Sequence, residues 1–442
     1  MRSWDAKQVA AAAGARVVAG AAAGPARAVI DSRAVEPGDL FVGLPGSQVD
    51  GGRFAAGALD VGAWGVLVAP TWAGEVTGGA VLAADDPLRA LGLLARSWRR
   101  ELGSQVIAVT GSVGKTSTKD LIAAVLSGHR SVVASRANFN TEIGMPLEIL
   151  GAPVGTEVLV LEAAMRGFGQ IGELAEICEP DVGVITNIGP VHLEQVGSLE
   201  GVARAKGELL VGMRDGGTAV VPAGEALLEP YLRPGLRVRR FGEGGDVVLD
   251  GDAVVARGER LDVELAFTAR HQRTNALAAV AAALAVGVRP SGRVEAPTGA
   301  LRGELVPLPD GAVAINDCYN ASPLSMRAAL DELAAYDAGG GRRLAVLGDM
   351  LELGAEEAAL HREVGTLAGE AGVELLVTVG PRAAAMLETF DGEGYAVADA
   401  GEAAALTADL IAPGDVVLVK GSRGVGLEVV APALAVAEAP RG

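Results

Sequence analysis

Cysteine is nearly missing from the chain: Cys178 and Cys318 are the only two in 442 residues. Two thiols cannot make a disulfide framework, so a reducing compartment, the cytoplasm, is the expectation. Long apolar runs are missing too. The longest, Leu277 to Val288, falls short of the roughly 20 residues that cross a bilayer and reads as a buried helix. Aromatic residues make up only 3%, and the positive mean hydropathy comes largely from alanine. Blocks of lysine and arginine are also lacking, and the formal net charge is −18. A polyanion needs a basic face, so nucleic acid is excluded as a partner, as is a membrane. A small phosphate-bearing molecule is not excluded, because a backbone cradle can bind it locally. Arg2 and Lys7 before an Ala/Val stretch imitate a secretory leader. Asp5 and Arg16 interrupt it, and it has no Leu-rich centre, so it reads as the first helix and strand of a first domain.

The strongest positive signal is Thr110-Gly111-Ser112-Val113-Gly114-Lys115-Thr116. Gln105 to Val109 before it reads as a buried strand. Ser117 to Leu126 after it places Leu121, Ile122 and Val125 at helical spacing. Strand, Gly-rich turn and helix form a phosphate cradle, with backbone N–H groups and the positive helix end facing one anion. Lys115 would neutralise phosphate charge and the Thr116 hydroxyl would sit on Mg²⁺. The spacing is shorter than G-x-x-x-x-G-K-[ST], with Val109 where that pattern has its first glycine.

Length suggests about three domains, and shifts of pattern place them at 1–103, 104–309 and 310–442. In the first, Asp31-Ser32-Arg33 and Asp50-Gly51-Gly52-Arg53-Phe54 lie among short strands and turns. The aspartates are turn formers, or Ser32, Arg33 and the Asp50 turn line a groove for a polar ligand. In the second, Glu157 to Leu161 is a strand ending in Glu162, where a P-loop needs a carboxylate for Mg²⁺. A strand over Val182 to Thr186 leads past Asn187 to His192 and Glu194. A helix capped by Ser198 then carries Lys206. Gly167-Phe168-Gly169-Gln170-Ile171-Gly172 has the spacing of a dinucleotide fingerprint, but Ala163 to Arg166 separates it from its strand, so it is rejected. In the third, strands at Val313–Asn316, Leu344–Gly348, Leu375–Gly380 and Val416–Lys420 alternate with helices. That alternation predicts a doubly wound parallel sheet. Asp317, Tyr319, Asn320, Asp349 and Lys420-Gly421-Ser422-Arg423 would gather at its carboxyl ends.

These motifs, in this order and over nearly the whole chain, resemble the Mur ligase family. Thr110 to Thr116 resembles T-G-[ST]-x-G-K-T. Asn138-Phe139-Asn140-Thr141-Glu142-Ile143-Gly144-Met145-Pro146 resembles N-x-N-N-E-I-G-x-P, and His192-Leu193-Glu194 with Ala205-Lys206-Gly207-Glu208 resembles H-L-E … A-K-x-E. Asn275 resembles the family's adenine-contacting asparagine. Asp317-Cys318-Tyr319-Asn320-Ala321 resembles D-S-Y-N-A, and Gly348 to Gly354, His361 and Lys420 to Arg423 complete the match. Three positions depart from the pattern: His271-Gln272 for His-Asn, Leu301 for the Gly of G-R-x-E, and Arg53 for the His of D-G-H-x-F.

The resemblance implies an α/β fold of three domains, with a central P-loop ATPase domain and a C-terminal Rossmann-like domain. It implies an ATP-dependent amide-bond ligase of peptidoglycan precursor synthesis, acting on UDP-N-acetylmuramoyl-tripeptide and D-Ala-D-Ala through an acyl phosphate, as a monomer. Thr110 to Ser117, Asn275, Arg302 and Asp317 would then hold the nucleotide, Arg302 on phosphate and Asp317 on ribose. Thr116, Glu162, His192 and a carbamylated Lys206 would hold Mg²⁺. Lys115, Glu162, His192 and Lys206 would be catalytic, and Ser32, Arg33, Asn138, Asn140 and Asp349 would meet substrate. The D-N-P-R motif of diaminopimelate-adding relatives is missing, as is the N-K-x-D of GTP switches. Folylpolyglutamate synthase remains a rival within the family.

Overall fold

A computed structural model describes residues 1, 3–20, 23–74, 76–136, 138–295 and 301–436. Three main sheets carry the chain. The first has five strands in the order Arg16–Ala19, Ala80–Ala83, Gly65–Val68, Leu40–Val42, Ala28–Val29, parallel except for the first pair. The helix Ala6–Ala13 and the strand after it stand where the leader-like segment had suggested them.

The second sheet has nine strands and decides where the chemistry can be. Gln105–Thr110 lies between Val158–Glu162 and Val182–Ile185, parallel to both. The register pairs Val109 with Glu162 and Thr110 with Ile185. Three carboxyl ends therefore open side by side: the Gly-rich loop, Glu162, and Thr186-Asn187. All three strands are buried along almost their whole length, which their Val/Ile/Leu runs require of a sheet covered on both faces. On the far side, Thr218–Pro222, Arg237–Phe241 and Val247–Asp250 continue the parallel order, and Ala253–Ala256 and Glu259–Arg260 add an antiparallel margin. The helix Arg270–Ala285 is buried without a break from Asn275 to Ala283.

The third sheet runs Glu304–Pro307, Val313–Asn316, Val416–Lys420, Arg343–Gly348, Leu375–Val379, Glu393–Val397. It is parallel and doubly wound as expected, with one addition: Glu304–Pro307 pairs antiparallel at the edge. Alternate residues feed opposite faces. Ala345, Leu347, Leu376 and Leu418 pack with Met326, Leu330 and Val364, whereas Leu344, Val346, Val377 and Val417 pack with Ala403, Val430 and Leu434. The helix Pro323–Ala335 begins at Ser322, whose hydroxyl accepts from Ser325 N, with Pro323 in the first turn.

By compactness the chain forms two units. One comprises Met1–Asn187, Arg204–Ala266 and Arg273–Val294, the other Ile188–Ala203, Phe267–Gln272 and Glu295–Gly442. Within the first unit a knot of charge fixes the helix Pro87–Leu102. Arg99, buried in that helix, donates to the carbonyls of Cys178 (3.1 Å) and Glu179 (2.8 Å) and to Asp181 (2.9 Å). Arg100 and Arg96 clasp the Glu179 carboxylate at 2.9 and 3.0 Å. Those hydrogen bonds, Arg100's first, hold the Glu179 carboxyl down at about 2. A depressed acid stabilises the fold above its unfolded value near 4.3, and the contribution vanishes as pH falls through about 2. Glu179→Gln should therefore cost about 2 kcal/mol in urea unfolding at pH 7. The gap to wild type should close between about pH 4 and pH 2. Equal midpoints at pH 7 would show that the knot contributes nothing.

Candidate active site

The Gly-rich loop is shaped by the strand next to it. Ser112 N donates to Asn187 O (3.2 Å) and Val113 N to Asn187 Oδ1 (2.9 Å). Val113 O accepts from Thr186 Oγ1 (2.6 Å) and Asn187 Nδ2 (3.0 Å). Two glycines are obligatory here. A Cβ on Gly111 would stand 1.9 Å from Thr186 Oγ1, and Gly114, at φ +78°, would meet Asn275 Oδ1 at 2.7 Å. Lys115 opens the helix Lys115–Ser127 and folds back, its Nζ donating to Gly111 O (2.8 Å) and Ser112 O (3.3 Å). Thr110 is fully buried at the strand end, and Ser117 is half-buried in the first turn of the helix.

Glu162 lies beside this loop and is 6% exposed. Thr116 Oγ1 donates to one of its oxygens (2.7 Å) and Asn140 Nδ2 to the other (2.9 Å). Its backbone N donates to Ser135 Oγ (3.0 Å), and Ser135 O accepts from the buried Lys119 (2.6 Å). No basic side chain pairs with Glu162 among the described residues. A buried carboxylate with only neutral donors is an incomplete arrangement, and a cation completes it.

Lys206 is the opposite case. It is 2% exposed, and its amine makes no hydrogen bond or ion pair among the described residues. Burial, and then the charge of Lys115, push its pKa well below that of an ordinary lysine. Its helix, Leu199–Val211, is pinned by Glu208, which accepts from Gly169 N (2.7 Å) and Gly172 N (3.1 Å). The rejected dinucleotide fingerprint thus spends its N–H groups on a carboxylate of the chain itself. Asn275, 8% exposed beside Gly114, has no hydrogen bond on its amide among the described residues. Asn138 is exposed in left-handed backbone (φ 69°).

In the first sheet's unit, Arg33 lies exposed with its guanidinium clasped to Asp31 at 2.8 and 2.9 Å, and Ser32 is half-buried. Asp31 and Asp50 both act as turn formers, accepting from Arg33 N and Gly52 N.

The second unit holds the remaining expected residues. The Arg302 guanidinium stacks 3.8 Å from the centre of the Tyr319 ring. Asp317 Oδ2 accepts from Lys420 Nζ (2.6 Å), which is 2% exposed and also donates to Asn320 O (3.1 Å). Burial pushes the nearby His271 down, and Glu332 up, from their ordinary values. Asp349, 4% exposed, is turned inward: its carboxylate accepts from Arg382 N (3.0 Å), Ala383 N (2.7 Å) and the Arg382 guanidinium (3.3 Å). His192 Nδ1 bonds to a carboxylate that the motif reading had not singled out, Glu352 Oε2. Thr186 and Asn187 were likewise missed as loop-builders. Their only signal was their place at the end of a strand next to the P-loop strand.

Comparison with known proteins bears on both units. Residues 27–94 match the Mur ligase family catalytic domain, 109–283 the Mur ligase middle domain, and 301–423 the Mur ligase glutamate ligase domain. UDP-N-acetylmuramoyl-tripeptide–D-alanyl-D-alanine ligase of Mycobacterium tuberculosis (strain ATCC 25618 / H37Rv) is 39% identical over 463 residues, covering 91% of each chain. The crystal structure of MurF from Acinetobacter baumannii superposes with a TM-score of 0.86 over 98% of both chains at 29% identity. The MurF ligase from Thermotoga maritima in complex with ADP gives 0.80 at 29% identity, over 92% of this chain and 97% of that one.

Proposed function

The chain belongs to the Mur ligase family, and from this premise we propose that it joins D-alanyl-D-alanine to UDP-N-acetylmuramoyl-tripeptide with ATP. The observation that carries the reading is Glu162, a buried carboxylate beside a P-loop whose hydrogen-bond partners are all neutral. ATP's γ-phosphoryl group goes to the terminal carboxylate of the tripeptide. The amine of D-Ala-D-Ala attacks the acyl phosphate, and collapse of the tetrahedral intermediate leaves amide, phosphate and ADP. Two anions must meet, so the chain has to supply positive charge between them.

Lys115 supplies it by leaving the Gly111 and Ser112 carbonyls for the phosphates. The loop's N–H groups and the helix start at Lys115 hold the same anion. Thr116 and Glu162 fit Mg²⁺, being hard oxygen donors already in contact with each other. When bound, the ion supplies charge neutralisation and alignment of the phosphoryl oxygens. Lys206, a buried amine with no partner among the described residues, fits reaction with CO₂, which would make it an anionic oxygen ligand. His192 is offered as a further ligand. Asn275 would take adenine, Arg302 phosphate and Asp317 ribose, the last through the oxygen that Lys420 leaves over. Ser32, Arg33, Asn138 and Asn140 would serve the muramoyl nucleotide, and Asp349 acts by shaping its loop. We place the domain boundaries near 103 and 309, the enzyme in the cytoplasm, and its working form as a monomer. Among the described residues no helix is long and apolar enough to cross a membrane.

The amine is assigned from Asp317-Cys318-Tyr319-Asn320-Ala321 together with the missing D-N-P-R motif. A panel of D-Ala-D-Ala, D-Ala, L-lysine and diaminopimelate, read by mass spectrometry of the ligated nucleotide, tests it. D-Ala-D-Ala should lead on the order of a hundredfold in kcat/KM, since a site built for two residues loses paired groups with one. Faster addition of lysine or diaminopimelate to a dipeptide precursor would overturn the amine assignment and leave the family intact.

A further inference from the structure

The segment Gly348-Asp349-Met350-Leu351-Glu352 begins at the end of the strand Arg343–Gly348 of the C-terminal sheet, and nearly every polar group in it is tied down. Asp349 N donates to Val379 O (3.1 Å), Met350 N to His361 Nε2 (3.0 Å) and Leu351 N to Ser422 Oγ (3.1 Å). Ser422 N returns a bond to Asp349 O (3.0 Å), and the Asp349 carboxylate holds Arg382 N and Ala383 N. His361 is wholly buried and its Nδ1 donates to Glu357 O (2.7 Å), which leaves Nε2 as the acceptor for Met350. None of these bonds points at a ligand. What the scaffold delivers is the next residue, Glu352.

Glu352 is in left-handed backbone at φ 63°, and so is His192 at φ 54°. Non-glycine residues hold that conformation only where the surroundings enforce it. The two meet twice in the same unit. Glu352 Oε2 bonds to His192 Nδ1, and Glu352 O accepts from Glu194 N (3.3 Å). Glu352 makes no other ion pair among the described residues, so its carboxylate is committed to the imidazole.

We propose that Glu352 is the positioning residue of His192: it fixes the Nδ1–H tautomer and the ring orientation, so that Nε2 is the nitrogen presented to the metal. A carboxylate on the remote nitrogen of a ligating histidine both orients the ring and raises its basicity. The inference rests on reading His192 as an Mg²⁺ ligand, and it gives the G-D-M-L-E segment, His361 and Ser422 one shared task.

The chain has only four histidines, so ¹⁵N-labelled imidazoles can be followed individually in the metal-free full-length protein. Wild type should show His192 as the Nδ1–H tautomer. Glu352→Ala should shift it toward Nε2–H, the form free imidazole prefers, with unchanged far-UV dichroism. Mn²⁺ binding followed by electron paramagnetic resonance with ADP present should weaken ten- to a hundredfold in Glu352→Ala. It should weaken less in Glu352→Gln, whose amide oxygen can still accept from Nδ1. An unshifted tautomer, or Mn²⁺ affinity within twofold of wild type in Glu352→Ala while His192→Ala loses it, overturns the proposal. If His192→Ala also keeps its Mn²⁺ affinity, the assignment of His192 as ligand falls first and the proposal with it.

Discussion

Lys115→Ala should lose ligation by about a thousandfold or more while the protein keeps its fold. The lysine donates to Gly111 O and Ser112 O, and both acceptors are on a loop already fastened by Thr186 and Asn187. Removing the side chain therefore leaves the strand–loop–helix standing. In the proposed reaction the same amine would lie against charge that develops as the γ-phosphoryl group leaves. A thousandfold loss corresponds to about 4 kcal/mol, the scale of one charged contact made in a water-poor site. The measurement is single-turnover phosphate release alongside ligation, with circular dichroism as the control. Near-normal turnover in a folded variant would remove the ATP site from this loop.

Lys206→Ala should lose on the order of a hundredfold or more, for a different reason. An ammonium buried near Lys115 would repel a cation and has no lone pair to offer it. Desolvation, and after it Lys115, keep the amine's pKa well below the ordinary value, so much more of it is neutral at pH 7 than of a surface lysine. In the proposed carbamylation the neutral amine attacks CO₂ and releases one proton. Where an ammonium would have placed a positive charge, the site would then hold an anionic carbamate with two oxygens, a group Mg²⁺ accepts readily. Labelled ¹³C-bicarbonate should give wild type a carbamate carbon signal that Lys206→Ala lacks. That signal should fade on acidification, because a bound proton occupies the lone pair that CO₂ needs. A fully active Lys206→Ala enzyme would make this lysine an ordinary buried helix residue.

Features that depend on near neighbours were legible in the sequence. Gln105–Thr110, the glycines and Lys115 are consecutive, and their order alone forces the cradle. Glu162 ends a run of buried strand residues, and Ser322-Pro323 carries its own helix start. Features that depend on distant partners were not. His192 and Glu352 lie 160 residues apart, and neither spacing nor periodicity links them. Asp349 looked like a ligand group at a strand end until Arg382 and Ala383, more than thirty residues on, claimed its oxygens. Arg237–Phe241 has three arginines in five residues, so its place inside a nine-stranded sheet left no apolar run to read. The edge strand Glu304–Pro307 was hidden similarly: its residues are mostly exposed, and its proline is of the kind edges tolerate.

The helix that carries Asn275 has a consequence of its own. From Ala276 to Ala283 it is enclosed on every side, and six of those eight residues are alanine. Over most of this run the helix meets its surroundings through single methyl groups, in an interior that is close-packed. Such a rod can mutate in one direction only. Trimming an alanine to glycine costs about 1 kcal/mol, whereas each added methylene must push a neighbour aside, and the first residue of the buried run, Asn275, lies against Gly114. Natural variation here should be confined to glycine, alanine and serine, and a single leucine among these alanines would disturb nucleotide binding from a position that touches no nucleotide.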